Sequence, residues 1–210
     1  MKTVTLDRSI NQHQTVLTEK LHHPNLPEEI TLAFESQPTN ISGNQRDFSE
    51  GISGSLLLKK MASEFLGVPS IDVFTEKYEK PKVFIDDAEL SASFSHTTAA
   101  LSAGISKEMN IGVDMELCSR VVTDRLKSRM KHEGELTSLY EKIDPIRIWT
   151  LKEAALKQIG TGLRKPMKSV KIKSIDSDLF SVEFDDGKHA KICSFKHQEH
   201  WISICYQKLP

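Results

Sequence analysis

Two short segments carry most of the chemistry this chain could perform. In Gly112-Val113-Asp114-Met115-Glu116, apolar residues bracket two carboxylates in strict alternation. The two-residue period of a strand therefore sends Asp114 and Glu116 out of one face, where they could grip one ion. In Trp149-Thr150-Leu151-Lys152-Glu153-Ala154-Ala155-Leu156-Lys157, Glu153 and Lys157 are four apart, so a helix puts them on one face, with Lys152 about 100° round. A hard cation such as Mg²⁺ takes oxygen ligands, usually carboxylates together with phosphate oxygens, and Asp114, Glu116 and Glu153 form a fitting set. Lys152 and Lys157 would face phosphate oxygens left uncovered by the ion, easing the charge that builds on a departing phosphate. Glu153 is the candidate general base towards an incoming hydroxyl. Singly, an Asp-x-Glu strand or a Lys-Glu helix face is the ordinary make-up of a solvated surface, worth little. Their joint occurrence is what suggests a site.

The elements that must hold these residues can be read around them. Leu56, Leu57, Met61, Phe65 and Leu66 recur at helical spacing, capped by Ser53 or Ser55 and closed by Gly67 and Pro69. Extended runs follow at 71–75, 83–85, 90–95, 99–102 and 110–115. The charged stretch 122–142 reads as one or two amphipathic helices. Asp144-Pro145 opens the helix bearing Trp149 to Lys157, and Gly160-Thr161-Gly162 ends it. Four more strands are expected at 170–173, 179–184, 190–195 and 201–206. The first fifty residues, broken by Pro24 and Pro27 and polar from Asn40 to Glu50, read as an irregular lead-in. Ser93-Phe94-Ser95-His96 with Ser102 is echoed by Ser194-Phe195-Lys196-His197 with Ser203 at one constant spacing. This echo indicates a duplicated α+β chain of two lobes, 1–105 and 106–210, each an antiparallel sheet on a long helix, with the ligand in the seam.

Composition narrows the classes. Of 210 residues, 38% are hydrophobic and 27% charged, with a formal net charge of −1, which is a globular balance. Coating a nucleic acid would need many unopposed cations, so no nucleic-acid partner is expected. No stretch approaches the roughly 20 apolar residues of a membrane span, and the opening residues carry no apolar run of signal-peptide length, so a cytoplasmic protein is expected. Cys118, Cys193 and Cys205, odd in number and without zinc-like spacing, read as reduced packing thiols. Trp149 and Trp201 read as core anchors.

Taken in order, Ser93-Phe94-Ser95-His96-Thr97, Ile111 to Glu116, Trp149 to Lys157 and Gly160-Thr161-Gly162-Leu163 resemble the 4′-phosphopantetheinyl transferase superfamily, in its two-lobed, Sfp-type branch. Upstream, Lys77-Tyr78-Glu79-Lys80-Pro81 is similar to a nucleotide-contacting segment of that family. The resemblance implies transfer of the phosphopantetheine arm of coenzyme A to a serine of an acyl or peptidyl carrier protein, by a Mg²⁺-dependent monomer. It implies Asp114, Glu116 and Glu153 as magnesium ligands, with Asp114, Glu153 and Lys157 as the catalytic set. His96, Lys152 and Lys157 match phosphate-contacting positions, and Ser95, Lys80 and Pro81 match positions near the nucleotide. Glu79 stands where the family has glycine, and Arg46 is displaced from the family's upstream arginine, both of which would weaken coenzyme binding. These departures motivate the alternative of a carrier-protein or nucleotide-binding module on the same fold that has lost efficient turnover. A metal-dependent hydrolase of nucleotide diphosphates is a third reading. The basic run Arg164 to Lys173 is a candidate surface for steering an acidic carrier.

Overall fold

A computed structural model of the chain describes residues 17–36, 46–76 and 79–209, the side chains of 46–51 excepted. Strands β1 (Thr18–Leu21) and β2 (Ile30–Ser36) precede helix α1 (Arg46–Phe65). After it come β3 (Asp72–Phe74), β4 (Lys82–Ile85), β5 (Ala88–His96) and β6 (Ala100–Ser106). These six strands form one antiparallel sheet in the order β1-β2-β6-β5-β4-β3. Next come β7 (Met109–Leu117), α2 (Asp124–Met130), α3 (Thr137–Lys142) and α4 (Pro145–Gln158). Then β8 (Val170–Ser174), β9 (Leu179–Phe184), β10 (His189–His197) and β11 (His200–Lys208) complete a second antiparallel sheet, β7-β11-β10-β9-β8.

Element for element, the path β2-β6-β5-β4-β3 with α1 repeats as β7-β11-β10-β9-β8 with α4. The fold is thus the expected α+β arrangement of two sheets, each on its own helix. The constant spacing of the sequence echo does not survive in three dimensions. The Thr97 N–H donates to the Ala100 carbonyl at 2.8 Å, so the β5–β6 hairpin closes across two residues just as β10–β11 does between His197 and His200, and the two hairpins match at a spacing one residue shorter than that of the echo. Ser102 therefore corresponds to Ile202, and Ser203 to Ala103.

Each helix buries one stripe. Leu57, Leu58, Met61 and Ala62 of α1 pack on Val83, Leu90, Ala92, Leu101 and Ile105. Leu151, Ala154, Ala155 and Leu156 of α4 pack on Phe180, Val182, Ile192 and Cys205. Asp144 caps α4 by accepting from the Ile146 N–H at 3.1 Å, Pro145 opens its first turn, and Gly160 ends it at φ 74°. Gly67 closes α1 at φ 67°.

Two expectations are corrected. Helix α1 begins at Arg46 and runs through the serines read as its cap. Its Gly54 hides this in the sequence, yet the packing demands it: a Cβ there would lie 2.5 Å from the Phe94 ring. Residues 18–36, expected to be irregular, supply the β1–β2 hairpin instead. The remainder of the irregular reading, residues 1–16 and 37–45, lies outside the described residues, as do Lys77 and Tyr78.

The two sheets meet through side chains. The Ile111 and Val113 N–H groups of β7, facing away from β11, donate to Ser91 Oγ and Ser93 Oγ of β5, each at 2.9 Å. A row of hydroxyls at period two thus substitutes for a neighbouring strand.

Candidate active site

The site forms where β7 crosses α4, and small residues set the distance between them. A Cβ on Gly112 would lie 2.2 Å from the Ala154 carbonyl and 2.3 Å from the Gln158 nitrogen, so only glycine lets the strand approach the helix backbone this closely. Two residues on, Asp114 is driven against the helix face carrying Glu153 and Lys157.

One ligand oxygen each from Asp114, Glu116 and Glu153 lies within 4.8 Å of the others. Asp114 is buried at 2% exposure. Its Oδ1 accepts from Ser95 Oγ at 3.0 Å and Lys157 Nζ at 2.8 Å, while its Oδ2 is buried with no hydrogen-bond partner among the described residues. A buried, unsatisfied carboxylate oxygen is costly by itself. Beside two further carboxylates it fits a hard divalent cation.

The electrostatics follow from this crowding. Burial, and next the charge of Asp114, push the Glu153 carboxyl up to about 7, against the opposing pull of Lys157 and Arg120. Burial works against the Lys157 ammonium, but Asp114 and Glu153, the latter at 4.0 Å, outweigh it and hold its pKa above the ordinary lysine range.

A cavity of about 400 Å³ opens onto this group. The first sheet contributes Lys80, Pro81, Ser95 and His96, the second the three carboxylates and Lys157, with Gly160 and Gly162 at the rim. Glu79 lines it as well. The side chain of Arg46 is among those not described.

Lys80 sits in the wall with its ammonium already engaged: it donates to Ser91 Oγ at 3.0 Å, to the Gln158 carbonyl at 3.4 Å and to Asn110 Oδ1. Burial brings its pKa down to about 8. It ties the loop before β4 to both β7 and the end of α4.

The expectation that Lys152 faces the same ligand is corrected. Lys152 is fully buried inside the second lobe, donating to Glu135 Oε1 at 2.8 Å and the Val170 carbonyl at 2.6 Å. The 100° step round the helix carries it to the β8 side. Glu135 is saturated there, also accepting from the Ile172 N–H (2.8 Å), the His132 N–H (2.9 Å) and the Tyr140 hydroxyl (2.6 Å). The pair knots the α2–α3 segment to α4. In the sequence, Glu135 was one more charge in a charged stretch.

Arg120 gave no sequence signal either. Its guanidinium pairs with Glu116 and lies 4.7 Å over the Trp149 ring. Trp149 is buried as expected, at 9% exposure. All three cysteines are free thiols.

A second cavity, about 630 Å³, opens where β1 and the residues after it meet β10 and β11, and His197 lines it much as His96 lines the first. Matching the hairpins by their closing pairs puts Ala33 and Glu35 of β2 where β7 has Asp114 and Glu116. The Phe34 ring stands edge-on to His197 at 4.7 Å. Matching the helices by their terminal glycines puts Lys60, paired with Glu35 at 3.3 Å, in the place of Glu153. With Ala33 in the place of Asp114 and Lys60 in that of Glu153, that half of the duplicated fold has no acidic trio among the described residues, and its matching carboxylate, Glu35, is tied to Lys60.

Comparison with known proteins agrees with this geometry. Residues 110–205 match the model of the 4′-phosphopantetheinyl transferase superfamily. The chain is also similar to the "4′-phosphopantetheinyl transferase gsp" of Aneurinibacillus migulanus, 27% identical over 132 residues, or 60% of this chain and 54% of that protein. The chain thus spans about half the length of the curated relative it matches. The matched region holds nearly all of β7, the whole of α4 and every carboxylate of the trio, and over it the chain is similar to the 4′-phosphopantetheinyl transferase superfamily.

Proposed function

We propose that this protein transfers the 4′-phosphopantetheine group of coenzyme A to a serine hydroxyl of an acyl or peptidyl carrier protein, releasing adenosine 3′,5′-bisphosphate. The observation that supports this most is the convergence of Asp114, Glu116 and Glu153, with one orphaned buried oxygen, beside Lys157 in a cavity between the two sheets. The trio would hold Mg²⁺, which when bound supplies charge neutralisation at the coenzyme's pyrophosphate. Lys157, fixed by Asp114 and Ser95, would present its charge to the departing phosphate. Glu153, on the helix and 4.0 Å from Lys157, would take the proton of the attacking serine hydroxyl. Ser95, His96, Lys80 and Pro81 would shape the nucleotide end, with Lys80 acting through the loop it anchors. The reading carries with it a cytoplasmic monomer of two lobes meeting near residue 105. Among the described residues no helix is long and apolar enough to cross a membrane.

Glu79 in the cavity wall and the engaged ammonium of Lys80 favour a second reading, a module that binds carrier protein or nucleotide without efficient turnover. One experiment separates the two: incubation with coenzyme A, Mg²⁺ and a panel of apo carrier proteins, followed by intact-mass spectrometry. Transfer adds one phosphopantetheine to a carrier and stops when Mg²⁺ is chelated. Binding without any mass gain across the panel contradicts transfer, and coenzyme A breakdown with no carrier present indicates a hydrolase.

A further inference from the structure

Arg120 has no part in the chemistry proposed above, yet it touches one of the three carboxylates. The turn that carries it is fixed at both ends. The Arg120 N–H donates to the Leu117 carbonyl at 3.0 Å, and the Cys118 N–H donates to the Glu199 carbonyl of the neighbouring hairpin at 2.8 Å. From there the side chain folds back so that its guanidinium pairs with Glu116 Oε1 and covers the Trp149 ring at 4.7 Å. Trp149 stands one helical turn before Glu153 on the same face of α4. The row along the seam therefore runs Trp149 with Arg120, then Glu116, Glu153 and Asp114, then Lys157 with Ser95.

Two tethered cations thus close the acidic row. At its inner end Lys157 takes Asp114 Oδ1 and leaves Oδ2 open. At its outer end Arg120, with its side chain 40% exposed against 17% for Glu116, takes Glu116 Oε1, one of the two oxygens that carboxylate offers an ion. A guanidinium stacked on an indole keeps a favourable resting place after its carboxylate partner leaves.

We propose that Arg120 is a built-in counter-cation that competes with the divalent ion for Glu116, and that ion binding frees it onto the Trp149 face at the outer end of the site. The inference rests on the reading of the acidic trio as an ion site. Arg120 sets how tightly the ion is held before coenzyme A arrives.

The test is calorimetric titration of Mn²⁺ into the full chain without coenzyme A, comparing the unsubstituted protein with Arg120→Gln, Arg120→Lys and Asp114→Asn. Thermal unfolding of each confirms that it is folded. Arg120→Gln is expected to bind the ion about three- to tenfold more tightly, as loss of a partly exposed ion pair implies, with Arg120→Lys close to the unsubstituted protein. In parallel, Mg²⁺ should change tryptophan fluorescence in the unsubstituted protein and much less in Arg120→Gln. Equal or weaker binding by Arg120→Gln, with binding still lost in Asp114→Asn, overturns the inference and leaves the ion site standing. Absence of binding in every protein, the unsubstituted one included, overturns both.

Discussion

At the scale of single residues, Asp114 and Glu153 carry the most specific consequences. Asp114→Asn keeps the shape and removes the charge, so phosphopantetheine transfer should fall a hundredfold or more while the circular dichroism spectrum is unchanged. Glu153 gives a pH signature in the ion-free protein. Its folded-state pKa, about 7, lies above the ordinary carboxylate value, so the folded state holds a proton that the unfolded chain releases. Its contribution to stability is therefore full below the unfolded pKa near 4.5 and is lost as pH rises towards 7. Glu153→Gln should remove this slope and stabilise the ion-free protein at pH 8 by about 1–3 kcal/mol, read from urea unfolding at several pH values. Saturating Mg²⁺ should reduce the difference. The spacing of Asp114, Glu116, Glu153 and Lys157 made these residues legible, because period two on a strand and period four on a helix survive in any fold that keeps the elements. Arg120 was not legible, since its reach back across a turn obeys no period.

Among the elements, β7 and α4 decide whether a site exists, and their separation is set by one glycine. Gly112→Ala would drive a methyl group into the Ala154 carbonyl and the Gln158 backbone, pushing strand and helix apart. Such overpacking costs about 1–3 kcal/mol or more, and Mn²⁺ binding should weaken together with thermal stability. Sequence periodicity located both elements within a few residues but said nothing of how close they come; a glycine in a strand pattern marks only that something approaches. Lys152 illustrates the same limit. Its place beside Glu153 suggested a shared ligand, and the helix angle instead delivers it to Glu135. Glu135→Gln leaves a buried ammonium without its counter-charge and should destabilise the protein by about 3–5 kcal/mol in urea unfolding, whereas the Glu135→Leu, Lys152→Met pair should recover most of the loss. If Lys152 contacted ligand instead, Glu135→Gln would spare stability.

For the whole molecule, duplication built two seams and furnished one. The repeated topology was foreshadowed by the Ser-Phe-x-His echo, but the hairpins match at a spacing one residue shorter than the echo's, which puts the echoed residues on opposite faces of their sheets, and a comparison of strings cannot see this. The strands of residues 18–36 were missed because their hairpin sits among prolines and histidines and reads as loop until β6 is there to pair with β2. With Ala33 in the place of Asp114 and Lys60 in that of Glu153, paired with Glu35, the second seam should hold no ion, so one divalent cation per chain is expected despite the duplication. The most direct test is equilibrium titration of Mn²⁺ into the protein with coenzyme A, followed by the loss of the free-ion electron paramagnetic resonance signal. One ion per chain for the unsubstituted protein, and none at the same concentrations for Asp114→Asn, Glu116→Gln or Glu153→Gln, is the expected result. An ion still held by all three variants would contradict the assignment of these carboxylates as its ligands.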